Sequence, residues 1–131
     1  MSSGSSSQIV VTNSVAETIE LGKRIALNLM PGAVVAMDGP LGSGKTGLVR
    51  GMVEALGGNT ALVGSPTFGL VHEYPISDSH RLVHMDCYRI GGAEDLESIG
   101  WYGFAGAADS ITVVEWADRI VRALPEEVVT I

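Results

Sequence analysis

The segment Gly39-Pro-Leu-Gly-Ser-Gly-Lys-Thr46 constrains this chain more than any other stretch. It fits the pattern G-x-x-x-x-G-K-[ST], and its flanks fit as well. Ala33-Val-Val-Ala-Met37 precedes it, a short continuous apolar run suited to a strand buried on both faces. Lys45 to Leu56 follows with helical spacing and ends at Gly57-Gly58. Strand, glycine loop, helix is the arrangement in which the pattern has a mechanism. Glycines at 39, 42 and 44 free the backbone to aim successive N–H groups inward as an anion nest. The helix N-terminus adds its positive dipole end. Lys45 is then placed for the β- and γ-phosphates of a nucleoside triphosphate, and the Thr46 hydroxyl for Mg²⁺. The nucleotide contacts expected along the segment are Leu41, Gly42, Ser43, Gly44, Lys45, Thr46 and Gly47. The alternative, a glycine-rich turn with an exposed lysine, leaves the flanking strand and helix unexplained.

At 131 residues the chain is the size of one domain. Apolar residues make up 46% and charged residues 18%, the balance of a globular chain able to bury its own core. No apolar run approaches the ~18 residues of a membrane helix, and no cleavable leader pattern opens the chain. A cytoplasmic protein with no membrane contact is the expectation. The formal net charge is −7, with Lys23 and Lys45 the only lysines. Such a chain repels phosphate backbones, which argues against a stand-alone DNA or RNA binder. The single Cys87 forbids an internal disulfide and leaves no thiolate cluster for zinc. Glycine is in excess at 17 residues, without a collagen-like period, as tight turns and close backbone–ligand contacts require.

Along the chain, residues 1–7 are low-complexity and read as a disordered lead, and residues 8–131 as one domain. Gln8 to Val11 reads as a short strand. Ser14-x-x-Glu17 is a capping-box signature opening a helix, whose apolar face runs through Val15, Ile19, Gly22, Ala26 and Leu29 until Pro31-Gly32 stops it. Phe68 to Tyr74 and Arg81 to Asp86 flank Pro75-Ile-Ser-Asp78 as a hairpin. An acidic helical pattern surrounds Glu94-Asp-Leu-Glu97, Ile111-Thr-Val-Val-Glu115 is a second buried strand, and Val128 to Ile131 reads as a last one. The order predicts an α/β fold: a P-loop NTPase-like sandwich, its central sheet largely parallel with an antiparallel hairpin and helices on both faces.

A phosphate loop needs a carboxylate at the end of a neighbouring strand to complete a magnesium shell. Asp86 and Glu115 each end an apolar strand, and Glu115 follows the cleaner run. His84, Asp86 and Tyr88 alternate and so share one strand face. That face is either a functional cluster or a solvated sheet edge; a metal trio lacks any recognised spacing. His72 and His80 read as surface or hairpin residues. Trp101, Tyr102, Phe104 and Trp116 read as core or interface anchors.

The guanine-reading N-K-x-D and the γ-phosphate sensor D-x-x-G are both missing, which argues against a GTPase. The six arginines form no lid-like cluster of the kind a small-molecule kinase carries. A minimal ATPase that draws help from a partner is what remains. A stand-alone phosphotransferase and a non-catalytic nucleotide switch are the alternatives.

Four blocks in order carry a more specific resemblance: Gly39 to Thr46, then Ser65-Pro-Thr-Phe68, then His84-Met-Asp-Cys-Tyr-Arg-Ile90, then Val114-Glu-Trp116. Together with Glu94-Asp-Leu96 and Gly100, they resemble the TsaE family, bacterial ATPases of tRNA threonylcarbamoyladenosine biosynthesis, from about Gln8 to the chain end. The resemblance implies ATP and Mg²⁺ as cofactors. It also implies TsaB and TsaD as partners in modifying the adenosine beside the tRNA anticodon, with tRNA met only through them. By the same resemblance, Lys45 and Thr46 bind phosphate and Mg²⁺, and Glu115 completes the magnesium shell. Asp86 orients the attacking water, Thr67 lies in a switch-like loop, and Trp116 shapes the pocket. The helix around Ser14, Thr18 and Gly22 lies near the base, with Ser14 either an ATP contact or simply a helix cap.

Two departures from the family pattern stand out. Gly47 occupies a position where relatives usually carry Thr, so a side-chain contact to the α-phosphate is lost and weaker nucleotide binding is expected. Relatives also usually continue past Ile131 through a strand carrying an Arg near the nucleotide.

Overall fold

A computed structural model describes residues 9–37, 44–63, 71–87, 90–91, 93–124 and 129–130. Among the described residues, four helices and five strands follow one another as α1 (Val15–Leu27), β1 (Val34–Met37), α2 (Lys45–Ala55), β2 (Val71–Pro75), β3 (Arg81–Asp86), α3 (Ala93–Ser98), α4 (Trp101–Phe104), β4 (Ser110–Glu115) and β5 (Val129–Thr130). Short 3-10 turns cover Thr60–Leu62, Ser77–Ser79 and Ala117–Ala123.

The strands form one sheet in the order β2-β3-β4-β1-β5. Its β3–β4, β4–β1 and β1–β5 pairs are parallel, and β2–β3 is the antiparallel hairpin. The alternation of side chains along each strand sorts the core into two layers. Val35, Met37, Leu82 and Val113 face Val49, Met52 and Val53 of α2 and Ala26 of α1. Val34, Ala36, Val83, Met85 and Val114 face Leu96, Trp101, Phe104 and Ile120. Helices therefore cover both faces, and every residue of β1 is buried as its apolar run requires.

α1 and α2 meet almost backbone to backbone. A Cβ on Gly22 would collide with the carbonyl of Leu48, and one on Gly51 with the carbonyl of Ile19. Lys23 and Glu54 join the same two helices by an ion pair. The N-terminus of α1 is capped by Ser14, whose hydroxyl accepts from the Glu17 N–H at 3.1 Å, while Glu17 Oε1 accepts from the Asn13 N–H at 2.9 Å. The box is reciprocal, but the glutamate reaches one residue further back than the usual pattern.

Several expected boundaries move. Ile9 to Val11 form no strand: Ile9 and Val11 are largely exposed and the segment pairs with no strand among the described residues. Its β-branched residues satisfy a strand's side-chain preference, but that preference depends on a neighbour to pack against. α1 ends at Leu27, short of Pro31, because Asn28 turns its amide back to donate to the Arg24 carbonyl at 2.8 Å. β2 begins at Val71, and β5 covers Val129–Thr130, with Phe68, Val128 and Ile131 outside the described residues. Among the described residues no helix is long and apolar enough to cross a membrane.

Candidate functional site

The topology selects one place for a site. The chain leaves β1 for α2 on one face of the sheet and leaves β4 for the turn at Ala117–Ala123, whose Ile120 packs on the other face. Adjacent parallel strands whose connections diverge in this way open a crevice beyond their C-terminal ends. Met37 of β1, Glu115 of β4 and Asp86 of β3 stand in one register row at those ends.

An open cleft of about 540 Å³ lies there, walled by Gly44, Lys45, Thr46 and Gly47 of the α2 entrance, by Ser14 and Thr18 of α1, and by Glu115. Gly44 caps α2 in the left-handed region at φ 97°, where a side chain would be strained. The first N–H groups of α2 open toward the cleft with no side-chain cap from this position.

Lys45 is not the exposed lysine of a glycine-rich turn. Its side chain is 10% exposed, its Nζ lies 3.5 Å from Glu115 Oε1, and it stands 5.5 Å above the centre of the Trp116 ring. The other carboxylate oxygen of Glu115, Oε2, lies 2.5 Å from His84 Nε2. That hydrogen bond outweighs the cost of burial and, with Lys45 adding to it, holds the Glu115 carboxyl below the usual carboxylate range. Glu115 thus meets the Lys45 side chain at one carboxylate oxygen and the His84 imidazole at the other.

Trp116 adopts φ 57° and ψ 41°, a left-handed conformation that a bulky residue takes at a cost of about 1–3 kcal/mol. The kink turns the backbone off the end of β4 and swings the indole under Lys45. The half-buried ring also packs against the core layer containing Val114 and Ile120. Its reading as a core anchor and its reading as a pocket residue therefore describe the same side chain.

The site residues expected from the sequence divide into three groups. Ser14, Gly44, Lys45, Thr46, Gly47 and Glu115 converge on the cleft, with Trp116 beneath Lys45. Asp86 stands beside Glu115 in register and is exposed at the end of β3; among the described residues the cleft wall includes Glu115 and not Asp86. Leu41, Gly42, Ser43, Thr67 and Tyr88 lie outside the described residues.

The His84 and Asp86 face is not a solvated edge, because β3 is interior, flanked by β2 and β4. Nor do three His, Cys, Asp or Glu side chains converge as a metal group among the described residues. His72 is a hairpin residue, on β2, where it pairs with His84 of β3, the ring centroids 6.4 Å apart. Burial, and secondarily the His84 ring, hold its imidazole below the ordinary range.

Sequence reasoning gave no role to Arg50, which also lines the cleft. Its guanidinium donates to the Val63 carbonyl at 3.0 Å, and its Nε is buried with no hydrogen-bond partner among the described residues. The available signal was spacing, since Arg50 follows Thr46 by one helical turn on the same face.

The family model described as "Threonylcarbamoyl adenosine biosynthesis protein TsaE" matches residues 12–131. The tRNA threonylcarbamoyladenosine biosynthesis protein TsaE of Streptomyces coelicolor is 42% identical over 110 residues, spanning 82% of this chain and 72% of that protein. The Bacillus subtilis protein of the same name is 38% identical over 112 residues, spanning 85% of this chain and 67% of the relative. The crystal structure of YdiB from Bacillus subtilis aligns with a TM-score of 0.66 at 31% identity, over 91% of this chain and 70% of that one. Sequence and fold agree along nearly the whole chain, which belongs to the TsaE family.

Proposed function

We propose that this chain is a Mg²⁺-dependent ATPase that works with TsaB and TsaD in threonylcarbamoylation of the tRNA adenosine beside the anticodon. The observation that carries the reading is Lys45: a nearly buried lysine at the α2 N-terminus, set between the Glu115 carboxylate and the Trp116 indole. A buried ammonium with a carboxylate beside it, at the open end of a helix in a cleft of nucleotide-binding size, fits a site for a phosphate chain. Family membership supplies the pathway.

The donor set suits magnesium. The Thr46 hydroxyl and an ionised Glu115 carboxylate are hard oxygen donors on one cleft, where Mg²⁺ would neutralise phosphate charge. In this reading Lys45 exchanges Glu115 for the β- and γ-phosphate oxygens. Leu41 through Gly47 would hold the phosphates through their backbone N–H groups, and Ser14 would contact the base side of the nucleotide. Asp86 would orient the attacking water, and Thr67, in the switch-like Ser65 to Phe68 segment, would be a further catalytic residue.

Phosphate release from MgATP, measured alone and with the TsaB–TsaD pair, tests the proposal. Slow turnover alone and a large rise with the pair are expected, and Lys45→Ala is expected to abolish nucleotide binding. Turnover that the pair leaves unchanged would favour a nucleotide switch. Transfer of the γ-phosphate to an acceptor other than water would favour a stand-alone phosphotransferase. Equal binding by Lys45→Ala and wild type would end the phosphate-loop argument.

A further inference from the structure

We infer that His84 is the positioning residue of the magnesium acid: its imidazole fixes the Glu115 carboxylate in the orientation that presents one oxygen to the phosphate cleft. The inference rests on the reading of Glu115 as a magnesium ligand and adds a residue to which that reading gives no role.

The geometry is specific. His84 lies on β3 in register with Val113, two residues before the Asp86–Glu115 row, so its ring reaches diagonally across the strand pair to Glu115. Nε2 stops 2.5 Å from Oε2, and the two side chains are 16% and 17% exposed. The contact joins one ring nitrogen to one carboxylate oxygen and leaves the other oxygen of the acid to other partners. With Oε2 engaged by the imidazole, Oε1 faces Lys45 at 3.5 Å on the cleft side. A glutamate has three side-chain torsions, and this one has its terminal group held at both oxygens.

The imidazole is itself braced. His72, its partner across the hairpin, presents a ring tilted by 46° with centroids 6.4 Å apart, and Tyr74 stacks on His72 at the same separation. A row of rings thus runs from the edge strand inward to the acid. Hydrogen-bond partners of metal ligands act in this way, and their loss typically costs about 10- to 100-fold in metal affinity. The competing account is that His84 is a buried polar group satisfied by the nearest carboxylate, with no consequence for the cleft.

ATP affinity measured with saturating Mg²⁺ and again in EDTA separates the two accounts, the ratio being the magnesium increment. His84→Ala is expected to cut the increment about ten-fold or more while leaving the EDTA affinity unchanged. Glutamine places its amide nitrogen near the position of imidazole Nε2, whereas asparagine stops near Nδ1. His84→Gln is therefore expected to keep most of the increment and His84→Asn to lose it. Both fill the site, so the comparison stands even where alanine compromises folding.

Equal increments in the glutamine and asparagine variants, whether both retained or both lost, would overturn the inference. A wild type whose ATP affinity is indifferent to Mg²⁺ would overturn both this inference and the reading of Glu115. A wild-type increment that Glu115→Ala removes and every His84 variant preserves would overturn the role of His84 alone.

Discussion

At the scale of single residues, Gly47 shows how a local departure is tied to its surroundings. A Cβ built there would lie 3.3 Å from Thr18 Cγ2, tighter than ordinary contact, and 3.6 Å from Thr18 Cβ, an ordinary one. Thr18 does not move freely, because its hydroxyl donates to the Ser14 carbonyl at 3.1 Å and lies 2.7 Å from the Thr12 hydroxyl. Placing there the threonine that the family resemblance implies would therefore offer a phosphate contact and a clash together. Gly47→Thr alone is expected to gain little ATP affinity. In a Thr18→Ser background, which deletes Cγ2 and keeps the hydroxyl, it is expected to gain about 2- to 10-fold, the worth of one hydrogen bond. Equal gains in both backgrounds would remove the steric argument, and no gain in either would remove the idea of a lost contact. Lys45 and Thr46 were legible in the sequence from the glycine-rich motif between a strand and a helix, and Glu115 as the acid that ends an apolar run. Thr18 against Gly47 and His84 against Glu115 were not, since each pair joins residues about thirty positions apart through helix crossing or strand register.

At the scale of elements, the crossing of α1 and α2 decides the shape of the cleft. Ser14 and Thr18 form one wall because Gly22 and Gly51 let the two helix backbones touch further along. Overpacking normally costs about 1–3 kcal/mol, and here the obstacle is backbone rather than a movable side chain. Gly22→Ala and Gly51→Ala are each expected to lower the urea midpoint by at least that much in stability. Either variant unfolding at the wild-type midpoint would mean that the helices separate without cost. Most elements could be read from periodicity: α1, α2, β1, β3 and β4 stand where apolar spacing put them, within a few residues at the ends. The expected first strand failed for want of a neighbour. α4 and the 3-10 turn at Ala117–Ala123 went unread, because segments of 4 and 7 residues are too short for a helical period to declare itself.

At the scale of the molecule, net charge and sheet order say different things about nucleic acid. A charge of −7 opposes a phosphate backbone, while the crevice beyond β1 and β4 holds a lysine, Lys45, beside Glu115. The isolated chain is accordingly expected to show no salt-sensitive binding of tRNA, and a submicromolar complex at physiological salt would contradict this. The same architecture also sets two indoles apart. Trp101 is 2% exposed in the core, edge-on to Phe104, and Trp116 carries the Lys45 ammonium over its face. A cation above an indole perturbs its emission, so the chain holds an optical reporter at the mouth of the cleft and an internal standard in its core. Withdrawal of Lys45 by an arriving anion is therefore expected to change the fluorescence of Trp116, with no label attached, while that of Trp101 stays constant.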